Sequence, residues 1–205
     1  QFLMGFAVMY VGLTFMKDCS NAVLGEYQTG MMNFFGSING FGFGSVILFL
    51  IAGAVLTIVL QASSATMAIT MLLAASGLID FKLAVAMVLG ENIGTTITAN
   101  IAAAVANTSA KRAARAHTIF NVIGVIWVLA LFGPIVKLIC IVMESINFYN
   151  PMEASSQLAA IANGKVEADA AMIEMYKNSL LYGIAMLHTL FNVTNTLVLI
   201  WFTPL

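Results

Sequence analysis

Two polar strings interrupt an otherwise apolar chain at positions where lipid is expected: Gln61-Ala62-Ser63-Ser64-Ala65-Thr66 and, about thirty residues on, Gly90-Glu91-Asn92-Ile93-Gly94-Thr95-Thr96. A segment that breaks a helix frees backbone N–H and C=O groups, each expensive to bury unsatisfied. Such segments persist at membrane depth only where they line a cavity or hold a solute. The pattern points to a transporter core. Composition supports the premise, because 61% hydrophobic and 8% charged residues leave too little polar surface for a soluble globule. The chain reads as an integral membrane protein.

A membrane span needs about 20 apolar residues. Residues 2–16 read as a first transmembrane helix clipped at its start, with Lys17-Asp18 at an interface. The looser, Asn- and Gly-containing stretch 19–43 reads as an interfacial connection with a short amphipathic helix at 27–35. An uncharged run, 44–60, then crosses most of the bilayer and stops at Gln61. The pieces between the two polar strings are ~10–15 residues, or ~15–22 Å as helix, too short to cross alone. Half-helices meeting at a break, or a re-entrant hairpin turning at Ser76-Gly77 or Asp80, are expected for both. A small-residue helix follows at 99–106, and Lys111-Arg112-Ala113-Ala114-Arg115 reads as a basic loop that the positive-inside rule assigns to the cytoplasm. Residues 116–143 then cross outward. The acid-rich stretch 144–177 suits an outer loop, and 178–205 a final returning helix. The fold class is all-α and polytopic, with broken or re-entrant helices. A single transmembrane domain over 1–205 holds its motif-bearing repeat unit at 43–143. Starting at Gln1 with no charged leader, the chain is expected to be a piece of a longer protein.

An internal echo supports this organisation: His117-Thr118-Ile119-Phe120-Asn121-Val122 recurs as His188-Thr189-Leu190-Phe191-Asn192-Val193, with five of six positions identical. Each copy opens an apolar stretch that ends near a proline, Pro134 or Pro204. Under the topology above the copies run in opposite directions, a pattern associated with transporters. His117 and Asn121, like His188 and Asn192, lie four apart on one helix face and read as interhelical hydrogen-bond partners, with a proton relay or substrate contact as the sharper alternative.

The chemistry rests on oxygen and amide groups. Ser63, Ser64 and Thr66 offer hydroxyls, Gln61 an amide, and a helix start there would aim free N–H groups and a partial positive charge at one spot, which suits an oxyanion. The bland alternative is that these hydroxyls bond back to their own helix or join helices. In the second string two glycines permit unusual backbone angles, and Glu91, Asn92, Thr95 and Thr96 offer the hard oxygens that sodium prefers; Gln61 and Ser64 extend that set. Glu91 reads either as a functional intramembrane carboxyl or as an interfacial one paired with Lys82. Lys82 is the sole basic residue between Phe43 and Ala110, so a bound anion needs neutralising by cations and helix N-termini. That requirement is a physical reason to couple its transport to sodium.

Other classes fit poorly. A net charge of −1 with one small basic cluster argues against a nucleic-acid surface. Cys19 and Cys140, far apart and without CxxC spacing, read as inert packing, and no cofactor or metal other than sodium is expected. A Ser64–His117 hydrolase would lack a nucleophile elbow and an orienting acid, so no enzyme activity is expected.

The series QASSAT, GENIGTT, a basic stretch and AHTIFNVIG resembles the type II sodium-phosphate cotransporter family shared by bacteria and animals. That resemblance implies two inverted repeats, each with a QSSS-type motif, that meet to bind inorganic phosphate and sodium. It implies that this chain is the second-repeat half, completed by the first repeat of the same chain or by a second copy. By the same resemblance, Gln61, Ser63, Ser64 and Thr66 fall on the substrate and sodium motif, Asn92, Thr95 and Thr96 fall on the NIGTT segment, and the location is a bacterial inner (plasma) membrane. Two positions depart from the pattern: Ala62 stands for the first serine of QSSS, and Glu91 where alanine or serine is common. The implied function is sodium-coupled phosphate uptake by alternating access. Carriage of another oxyanion, or a non-transporting membrane subunit or sensor, are the alternatives.

Overall fold

The computed structural model describes residues 2–202; Pro204 lies outside the described residues. Every regular element among them is helical, and the chain divides into two compact units, Gln1–Gly40 and Phe41–Leu205. It is an all-α membrane protein.

The first unit is one helix, α1 (Phe2–Asn39). The sequence pattern suggests a span over 2–16 and a looser connection afterwards, yet the helix runs through Lys17-Asp18 and the whole of 27–35 without a break. No proline falls in this stretch, and an internal glycine costs a helix only about 1 kcal/mol, too little to end it. Polar composition alone does not terminate a helix.

In the second unit Gly42, at φ 58°, leads into α2 (Phe43–Leu60), which is followed by α3 (Ser63–Ala75) and α4 (Phe81–Ala103). The turn between α3 and α4 falls where the sequence places it. Gly77 takes φ 74°, its N–H bonds the Ala74 carbonyl at 3.0 Å, and the Asp80 carboxylate caps α4 by accepting from the Leu83 N–H at 2.8 Å. A Cβ on Gly77 would stand 2.6 Å from the Leu158 carbonyl oxygen, so this turn is covered by a later helix.

The second polar string does not break the chain. α4 passes unbroken through Gly90 to Thr96, contrary to the half-helix expectation for that segment. Its glycines serve close approach instead: a Cβ on Gly90 would collide with the Leu50 carbonyl, and one on Gly94 would lie 2.6 Å from the Ala54 carbonyl oxygen. Gly53 of α2 meets the Met87 backbone from the other side. Small residues facing each other let two helix backbones touch, which is how apolar helices pack in lipid. α4 is therefore the centre of the unit, with residues 83–92 buried on every side.

The basic residues Lys111, Arg112 and Arg115 are exposed on the first two turns of α5 (Thr108–Ala130) rather than in a loop; Asn107 caps that helix. α5 ends at Leu131 and α6 (Phe132–Ser145) begins at once. Pro134 explains the break, since it has no N–H to give the Ala130 carbonyl and its ring would crowd it. The stretch 144–177, read as a loop, contains α7 (Pro151–Ala162), with Asn150 as cap and Pro151 in the first turn, before α8 (Ala170–Leu199). α2 and α5 are each long and apolar enough to cross a membrane, whereas α3, at 13 residues or ~20 Å, is not.

Candidate functional site

The break between α2 and α3 is two residues long. Gln61 adopts the left-handed conformation (φ 54°, ψ 24°), its N–H closing on the Thr57 carbonyl at 2.8 Å, and Ala62 is extended. Left-handed backbone is uncommon for a residue with a side chain, and it occurs both where helices end, as here, and at functional sites. Ala62, as N-cap, has no side-chain oxygen, so the first N–H groups of α3 have no side-chain cap. Gln61, Ser63 and Ser64 are exposed there. The start of α3 thus presents backbone donors, two hydroxyls and one amide.

Thr66 has a different place. It is fully buried, donating to the Ala62 carbonyl at 3.3 Å, with the Thr57 hydroxyl of α2 3.1 Å away. One turn on, the buried Thr70 donates to Glu91 Oε1 at 2.7 Å. Thr66 and Thr70 lie on one face of α3, and through them the short helix is tied to α2 and to α4. Glu91 is 2% exposed, so it is a carboxyl of the helix core and not an interfacial partner of Lys82, which is exposed.

The remaining sodium candidates turn towards their own helix. Asn92 Nδ2 donates to the Val88 carbonyl at 2.9 Å, Thr95 to Glu91 O and Thr96 to Ile93 O, both at 2.8 Å. No unwound carbonyls accompany them, because α4 is continuous.

The two His/Asn pairs also bond within their helices: Asn121 Nδ2 donates to the His117 carbonyl at 3.0 Å, and Asn192 Nδ2 to that of His188 at 2.8 Å. The expected bridge between copies is made by another residue, Asn195, whose Nδ2 donates to the Phe120 carbonyl at 2.8 Å. A Cβ on Gly124 would come within 2.7 Å of that same amide. Gly124 and Asn195 each stand seven residues after the histidine of their copy, so the repeated helices meet at equivalent positions. Sequence reasoning also missed Asn100, which donates to the Thr96 carbonyl at 2.8 Å and to Thr118 Oγ1 at 2.5 Å, joining α4 to α5. An Asn ahead of the apolar run 101–106 was the available signal for Asn100, whereas Asn195 stands among Asn192, Thr194 and Thr196 and carried none of its own.

A family model described as Na+/Pi-cotransporter matches residues 31–148. "Uncharacterized protein YqeW" of Bacillus subtilis is 45% identical over 80 residues, 39% of this chain and 26% of that protein. The protein named "Putative inorganic phosphate export protein YjbB" in Salmonella typhimurium is 32% identical over 95 residues, 46% of this chain and 18% of its own length. Its namesake in Escherichia coli is 32% identical over 81 residues. The chain thus matches about a quarter or less of the length of these relatives. No solved structure matches.

Proposed function

The chain belongs to the Na+/Pi-cotransporter family, and on that premise we propose that it is one half of a carrier that moves inorganic phosphate into the cell together with sodium, by alternating access. The observation that carries the reading is the start of α3, where backbone N–H groups without a side-chain cap stand beside the exposed Ser63 and Ser64 and follow the left-handed, exposed Gln61. Oxyanions bind at such helix starts because the unsatisfied N–H groups and the helix dipole both favour negative charge. No Arg or Lys other than Lys82 lies on α2, α3 or α4, so sodium supplies the missing positive charge. Gln61 and Ser64 are the sodium ligands this arrangement favours. Asn92, Thr95 and Thr96 can add only the lone pairs left after back-bonding. The site is completed by the matching motif of a first repeat in the same chain, or by a second copy, in a bacterial inner membrane.

Two of these relatives have names that speak of phosphate export, which favours a second reading with the opposite direction of net movement. Uptake of labelled phosphate into proteoliposomes by the full-length protein, under an inward or outward sodium gradient, separates the two. Accumulation driven by inward sodium, and lost in Ser63→Ala/Ser64→Ala, supports the first. Phosphate movement indifferent to sodium sinks the coupling, and movement retained by the double variant sinks the site.

A further inference from the structure

An open groove of about 640 Å³ runs between the end of α4 and the start of α5, lined by Ile97, Asn100, Ile101, Arg115, Thr118 and Ile119 together with Ala104. We propose that it is a binding site for an anionic phospholipid, with the phosphate on Arg115 and one acyl chain along the isoleucines.

The order of groups along the groove matches that of a lipid. α4 and α5 are joined by a short turn, 104–107, so Ala104 and Arg115 lie towards the turn, and Ile97 and Ile119 lie farther along their helices. Asn100 and Thr118, half-buried and bonded to each other, hold the groove floor together at mid-length. Ile97, Ile101 and Ile119 are exposed, and α5 is apolar and long enough to span, so these side chains face acyl chains when the protein sits in a bilayer.

Charge decides which lipid. Lys111 and Arg112 flank Arg115 on the same two turns, and all three are exposed. From Asn92 to Met143 the chain has no Asp or Glu, and among the described residues none of the three cations has a carboxylate partner. An uncompensated cation cluster beside a lipid-facing apolar groove recruits an anionic headgroup. A guanidinium can grip a phosphate in bidentate fashion, which a zwitterionic headgroup offsets with its own ammonium. None of the residues lining the groove belongs to α3, and the proposal does not depend on what the carrier moves.

Native mass spectrometry of the full-length protein, offered phosphatidylglycerol or phosphatidylcholine in turn, reads the site directly. Retention of phosphatidylglycerol over phosphatidylcholine is expected. Arg115→Gln weakens it about fivefold, as expected for one cation near the surface. Ile101→Trp, which fills the groove and leaves the charge, removes the adduct. Lys137→Gln, an exposed cation on α6 outside the groove, leaves the retention as in the parent. Equal retention of the two lipids overturns the proposal, as does an unchanged preference in both groove variants or the absence of any adduct. Displacement of the lipid by millimolar inorganic phosphate would reassign Arg115 to free phosphate and overturn it too.

Discussion

Gly90 and Thr70 show how single atoms fix this helix core. A methyl group on Gly90 enters the Leu50 backbone, which unlike a flexible side chain cannot move aside. Gly90→Ala is therefore expected to cost roughly 1–3 kcal/mol, at the upper end of that range. Gly133→Ala, where an added Cβ meets nothing, is expected to leave stability unchanged or slightly raised. Thermal unfolding in detergent checks the pair, and equal midpoints would show that α2 and α4 do not touch as described. Thr70 is the complementary case, since its hydroxyl donates to a carboxyl that is 2% exposed. Thr70→Val leaves that carboxyl short of a donor at a cost of about 1–3 kcal/mol, whereas Glu91→Gln keeps an oxygen for Thr70 and costs less. The same unfolding assay ranks the two, and the reverse order would mean that the Thr70–Glu91 bond is not formed in the membrane protein.

Among the elements, the two polar strings had the same look in sequence and different outcomes in structure. Around Gln61 the break was legible, because four residues without a large apolar side chain, two of them serines that favour helix starts over helix interiors, interrupt the apolar run, and α2 does end there. Around Gly90 it was not. Glycine serves a hinge and a close approach equally well, and only the position of Gly53 on a helix distant in sequence decides between them. The length of α1 was hidden for a related reason, as polar residues loosen a pattern without removing a backbone hydrogen bond, while Pro134 does remove one and divides α5 from α6. The α2–α3 break also separates backbone from side chain. Gln61→Gly relieves a left-handed residue that costs about 1–2 kcal/mol and loses some of that gain to chain entropy. It is thus expected to keep or slightly raise the unfolding midpoint while lowering phosphate transport through loss of the amide. A midpoint well below the parent would assign the Gln61 side chain a structural role.

Across the whole molecule, the repeat was visible as letters but its contact was not, because Asn195 and Gly124 lie just past the matched six residues and differ from each other. Their meeting at equivalent positions is what a pseudo-twofold relation between α5 and α8 produces, and an inverted pair of repeats requires that these helices cross in opposite senses. Helix length makes the sense testable. α5, at 23 residues or ~34 Å, can cross the bilayer, whereas α6 at 14 residues and α7 at 12 cannot carry the chain back. Arg112 before the crossing and Glu167 after it, both exposed, should therefore lie on opposite sides of the membrane. In a Cys19→Ala/Cys140→Ala background, Arg112→Cys and Glu167→Cys are labelled with a membrane-impermeant maleimide in right-side-out and inside-out vesicles. Each cysteine is expected to react in one vesicle type and the two in opposite types, with Arg112→Cys on the cytoplasmic face as the positive-inside rule requires. Labelling of both from the same side would mean that the chain doubles back at the Leu131 break, and the two His-Thr-x-Phe-Asn-Val copies would then not be inverted.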